Sequence, residues 1–151
     1  MSLECAWCGA RYATPGETCE DRFNLALARE FEDPAFGMVH HLTVPAYMLQ
    51  HNRYSHVGWL VTRDLLASFV RGEVDPAGAR RQYKTKYSGG ERAGSITKGP
   101  RFAQFDQITW TRTIADVRFD SAEVYRADVE AWAAAVVADT EAVIAALGTT
   151  E

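Results

Sequence analysis

All three cysteines of this chain, Cys5, Cys8 and Cys19, fall within its first 19 residues, and all four histidines lie between positions 40 and 56. That distribution constrains the fold more than any hydrophobic pattern does. If the thiols share one ion, the N-terminal loop must lie against the element that presents the remaining ligand.

Cys5-Ala6-Trp7-Cys8-Gly9 is a CxxCG knuckle. Its turn points both sulfurs inward, and a glycine after the second cysteine permits the positive φ such turns need. Cys19 follows eleven residues on, at an expected helix N-terminus, where the dipole favours the thiolate that binds metal. An odd number of cysteines suits a disulfide framework poorly. A CxxC redox pair is disfavoured because no βαβ pattern surrounds it. Zinc in a structural site takes four tetrahedral ligands, so a histidine should complete the set.

The remaining pattern is helical. Thr18 and Asp21 fit a capping box, and Phe23, Leu27 and Phe31 lie four apart, which predicts a helix over about 19–31. Asp33-Pro34 reads as the cap and first residue of a second helix reaching about His51, which Pro45 should kink or restart with Thr43 as a new cap. A third helix is expected over about 55–72, a short fourth from Pro76, and a last one between Ser121 and Gly148 with Val129, Trp132, Val136, Val143 and Leu147 buried. Ile108-Thr109-Trp110 alternates like a strand, and Thr113 to Asp116 looks like a capping box. The expected fold is mainly α, a helical domain with a zinc-knuckle-like N-terminal loop packed on it.

At 151 residues, 47% of them apolar, the chain is read as a single globular domain. It divides into a metal loop (1–17), a helical core (18–72), a basic and glycine-rich connector (73–107), and a short turn with the C-terminal helix (108–148). No apolar run approaches the roughly 18 residues of a membrane span. Residues 1–5 carry neither a basic nor an apolar leader segment, so a cytoplasmic protein with reduced thiols is expected.

His40 and His51 are three helical turns apart and share a face if the helix survives Pro45, whereas His41 falls about 100° away. A rise of about 1.5 Å per residue carries the chain roughly 18 Å from Cys19 by Phe31 and about as far back before His51. By that geometry His51 lies nearer the level of Cys19.

The motifs Cys5-x-x-Cys8-Gly9, Cys19, Val39-His40, Leu42-Thr-Val-x-Ala46-Tyr47-x-x-Gln50-His51, Thr113-x-Ala115-Asp116-Val117 and Trp132-Ala133 occur in that order. In this the chain resembles a family of small bacterial proteins known only as a domain of unknown function. The resemblance is dense over about 5–56 and recognisable again over about 113–137. It picks out Cys5, Cys8, Cys19, His40, Tyr47, Gln50 and His51. The family usually has arginine where His41 stands, often aspartate at Pro45, and a proline where Asn52 follows Gln50-His51. On the family pattern, and on the freedom of the 1–17 loop to reach along the helix, His40 is the expected fourth ligand and His51 the alternative. Tyr47 and Gln50 are expected to support the site by hydrogen bonding.

Arg80, Arg81, Lys84, Lys86, Arg92, Lys98 and Arg101 fall in a 22-residue window with one acid, Glu91, so the window carries +6 against −10 for the rest. With Tyr83, Tyr87 and Phe102 interleaved, these residues are candidate anion ligands for phosphates or stacked bases. The glycine spacing matches no phosphate-binding fingerprint. The net charge of −4 disfavours nucleic acid as the partner. Three thiolates quench the Lewis acidity of zinc, which points to a non-catalytic module with a protein or small-molecule partner. The alternatives are a metal-dependent hydrolase or deaminase-like enzyme, with Glu30 or His51 as base, and a nucleic-acid binder. No HxE or HExxH pattern accompanies the ligands to support the enzyme.

Overall fold

A computed structural model describes residues 4–14, 16–78 and 99–148. Helices dominate: α1 (Cys19–Glu32), α2 (Pro34–Gly37), α3 (His40–Gln50), α4 (His56–Val70) and the long α5 (Ala122–Gly148). Two 3-10 turns, Phe105–Gln107 and Ile114–Asp116, punctuate the segment before α5. Among the described residues β pairing is confined to isolated antiparallel bridges, Glu4 with Arg11 and Ser55 with Arg101, so Ile108–Trp110 forms no strand.

The caps read from the sequence are in place. The Thr18 hydroxyl accepts from the Asp21 amide at 3.1 Å and the Ser55 hydroxyl from Gly58 at 3.0 Å. Thr113 and Asp116 cap each other reciprocally, and Asp33 accepts from Ala35 at 2.9 Å.

The second helix differs from expectation. It breaks at Met38-Val39, before α3, and Pro45 lies buried inside α3. Proline removes the amide that would bond the His41 carbonyl, but the helix is held on both sides of the gap. Thr43 is no cap: its hydroxyl bonds the Val39 carbonyl and the Glu30 carboxylate. The break lies where the chain turns tightly round α1. A Cβ on Gly37 would come within 2.8 Å of the Glu30 carbonyl oxygen, so only glycine fits.

The buried face of α1 is also rotated from the Phe23–Leu27–Phe31 stripe. Cys19, Ala26 and Glu30 point inward, and Phe31 is 93% exposed. The reason lies in how α1 meets α3. Cys19 lies beside His51, and Glu30 beside His40, so the two helices run antiparallel.

Polar crosslinks fix the remaining helices. Gln50, fully buried on α3, donates to the Arg112 carbonyl at 2.6 Å and accepts from the Trp132 indole of α5 at 2.9 Å. Arg63 of α4 reaches Thr140 and the Val137 carbonyl of α5, both at 2.9 Å, and pairs with Glu141. Arg22 of α1 holds the Ile114 and Val117 carbonyls of the second 3-10 turn. The α5 stripe is buried as expected at Val129, Trp132, Val136 and Val143, and partly so at Leu147.

Between α3 and α4 the chain turns through Asn52, whose φ is 50°. Asparagine tolerates this left-handed conformation, but a proline ring fixed near −65° does not. The Asn52 side chain pairs with the Phe102 backbone, accepting from its amide at 3.2 Å and donating to its carbonyl at 3.5 Å. Phe102 in turn stacks on the buried Trp59, with ring centroids 3.8 Å apart.

Candidate metal centre

The knuckle is a tight hairpin. Glu4 and Arg11 form its bridge, the Cys5 amide bonds the Ala10 carbonyl at 2.7 Å, and the Gly9 amide bonds the Cys5 carbonyl at 3.0 Å. Gly9 has φ 78°, the left-handed conformation expected of a residue that follows a knuckle cysteine. Trp7, at the tip, lies edge-on to Phe105 with centroids 5.9 Å apart, which docks the hairpin on the body. Cys8 and Cys19 are buried, Cys5 is half-buried, and none is in a disulfide.

Cys5, Cys8, Cys19 and His51 come together: each offers a ligand atom, and these atoms all lie within 4.8 Å of one another. Such a cluster could hold a metal ion. His40 is not part of it. His40 lies at the other end of α3, its Nδ1 2.7 Å from the Glu30 carboxylate. The histidine that joins the three sulfurs is thus His51, the alternative, and not His40, because antiparallel packing of α1 and α3 brings the end of α3 level with the start of α1.

His51 is the C-cap residue of α3, buried, and stacked on Tyr47 with ring centroids 4.1 Å apart. Its Nδ1 is 2.7 Å from the Tyr47 carbonyl, to which it can only donate. That bond leaves the lone pair on Nε2, the tautomer a metal ligand needs. Nε2 itself is buried and has no hydrogen-bond partner. An orphaned imidazole acceptor beside three sulfurs is what a missing cation would leave behind.

The sulfurs already share charge. Cys8 and Cys19 Sγ are 3.6 Å apart, and the Tyr12 hydroxyl donates to Cys19 Sγ at 2.8 Å. The hydrogen bond from Cys8 pulls the Cys19 thiol down to about 4 against its burial, with the Tyr12 hydroxyl adding to the pull. Cys8 is pushed far up by that same bond and by burial. An ion bound by both sulfurs would displace the proton they share.

The supporting residues behave differently from each other. Tyr47 serves the site through its backbone carbonyl and its ring, which also stacks on Phe23 at 3.9 Å. Burial above all pushes its hydroxyl up to about 12. Gln50 bonds the Arg112 carbonyl and the Trp132 indole and ties the end of α3 in place rather than bonding a ligand. Tyr12 was not singled out by the sequence, although beyond the knuckle Ala10 and Tyr12 face inward and Arg11 outward in alternation.

The second polar cluster was visible only as the residue Glu30. Its buried carboxylate accepts from Thr43 at 2.6 Å and from the Tyr125 hydroxyl, and meets His40. Equal spacing carried a signal: Cys19 to Glu30 and His40 to His51 are both eleven residues. Two antiparallel helices must therefore match Cys19 with His51 when they match Glu30 with His40. Of the candidate anion ligands, Arg80, Arg81, Lys84, Lys86, Arg92 and Lys98 lie outside the described residues, while Arg101 is exposed and bridges Ser55.

Fold and site together define a mainly helical protein with an N-terminal cysteine hairpin and a Cys3His cluster able to hold a metal. The chain matches a family of unknown function (DUF5946) over residues 3–141 and belongs to it. No curated protein and no solved structure matches it. No described helix is long and apolar enough to cross a membrane.

Proposed function

We propose that this chain is a zinc-binding module in which the ion is structural, pinning the N-terminal hairpin to a helical body that serves binding or regulation. The observation that carries this is the convergence of Cys5, Cys8, Cys19 and His51 within 4.8 Å. Zinc–sulfur bonds of about 2.3 Å give a tetrahedral edge of about 3.8 Å. The Cys8–Cys19 separation of 3.6 Å is close to that edge. An iron–sulfur cluster, with several atoms between its thiolates, would hold them farther apart.

Four protein donors fill a tetrahedron and leave no position for water, which favours a structural role over the hydrolase or deaminase alternative. Three thiolates suit the cytoplasm, where they stay reduced. The partner would be a protein or a small molecule.

The test is metal analysis of protein purified without chelator, followed by chelation. About one zinc per chain is expected, and its removal should loosen the hairpin, seen as loss of amide protection over residues 4–12. Metal-free protein with Cys5 and Cys8 joined in a disulfide would overturn the proposal.

A further inference from the structure

A divalent ion held by three thiolates and a neutral imidazole leaves one unit of excess negative charge at the centre. Cys8 and Cys19 are buried, so solvent cannot spread that charge, and hydrogen-bond donors must. The fold supplies such a donor to Cys19: the Tyr12 hydroxyl, on the returning arm of the hairpin, reaches its Sγ at 2.8 Å. Cys19 also opens α1, where free amide dipoles favour negative charge.

The hairpin geometry makes the Tyr12 contact specific. Residue 11 pairs with residue 4, so residue 12 is the first inward-facing position beyond the bridge. A tyrosine there lies inside the core with its ring packed and only its hydroxyl directed at sulfur. A phenylalanine would fill the same space without the donor.

We propose that Tyr12 is a positioning residue of the metal centre: its hydroxyl donates to the metal-bound Cys19 sulfur, offsets the excess charge and holds that thiolate on the ion. The inference rests on the zinc-centre proposal above. It assigns to Tyr12 the control of how tightly the ion is held, a role separate from filling the core. Outer-shell donors of this kind change metal affinity by about 10- to 100-fold when removed.

The experiment compares the full-length protein with Tyr12→Phe in two measurements. Zinc affinity is read by competition with a chromophoric chelator, and the sulfur-to-metal charge-transfer band is read after cobalt substitution. Tyr12→Phe should bind zinc about 10- to 100-fold more weakly. Its cobalt band should move to lower energy, because a thiolate without its hydrogen bond gives up electrons more readily. A packing role alone moves neither. Unchanged affinity and an unmoved band, with the wild type binding zinc, overturn this inference and leave the metal centre standing. A wild type that takes up no metal overturns both.

Should the variant fail to fold, the wild type loaded with cadmium-113 decides. The Tyr12 hydroxyl proton should exchange slowly and couple to the metal through the Cys19 sulfur. A hydroxyl without that coupling, in rapid exchange with water, overturns the assignment.

Discussion

Replacing His51 and His40 separately by alanine distinguishes the two histidines that share a face of α3. His51→Ala removes one of four donors at the cluster, together with the stack on Tyr47 and the bond to its carbonyl. Structural zinc sites bind with an apparent free energy of about 10–16 kcal/mol, which over four ligands is about 3 kcal/mol each. A loss of that size is roughly 100-fold in affinity. His40→Ala touches only the other rung. It removes a 2.7 Å contact to Glu30 by a side chain that is 60% exposed, and Thr43 and Tyr125 remain on the carboxylate. Zinc affinity should then stay within about twofold of wild type, with a small drop in Tm. The assay is chelator competition on both variants at one pH and salt, with thermal melts alongside. If His40→Ala releases the ion while His51→Ala retains it, α1 and α3 do not pair as described, and the assignment of His51 is wrong.

Three further outcomes follow from the same structure. Asn52→Pro should cost about 3 kcal/mol or more in chemical denaturation, because φ 50° is closed to proline; Asn52→Gly keeps the turn and should lose only about 1 kcal/mol with the Phe102 bonds. Glu30→Ala should cost about 1–3 kcal/mol, since it strands the buried Tyr125 hydroxyl and leaves Thr43 only the Val39 carbonyl, and Glu30→Gln should cost less; equal and negligible effects in melts would refute the buried network. The Arg118 guanidinium holds Asp128 below its ordinary value of 3.8, so the folded state binds its proton less tightly than the unfolded chain does. That contribution should be present at neutral pH and lost as the pH falls through the folded-state value. Asp128→Asn should therefore differ in stability from wild type at neutral pH and converge with it in acid.

Helix positions were legible because caps and breakers act over three or four residues. Thr18, Asp33, Ser55, Thr113 and Ser121 each accept a backbone amide, as their types and spacing suggest. The break in the second helix was misplaced because Pro45 is a strong local signal, whereas Gly37 matters only where it passes the Glu30 carbonyl. The inward face of α1 was misplaced for a related reason. Phe31 is apolar and well spaced, but Glu30 is buried because Thr43 and Tyr125, 13 and 95 residues away, satisfy it.

By itself the sequence determined that three cysteines and one histidine would meet at the N-terminal end of a helical protein. The knuckle spacing, the glycine after Cys8 and the capped helix at Cys19 are local chemistry. Which histidine completes the set was decided only by tertiary structure. His40 and His51 lie eleven residues apart on one helical face, so periodicity presents both to the same neighbour. The direction in which α3 runs past α1 breaks the tie. Running antiparallel, the start of α3 meets Glu30, and its end brings His51, with a buried and unpartnered Nε2, to the three sulfurs.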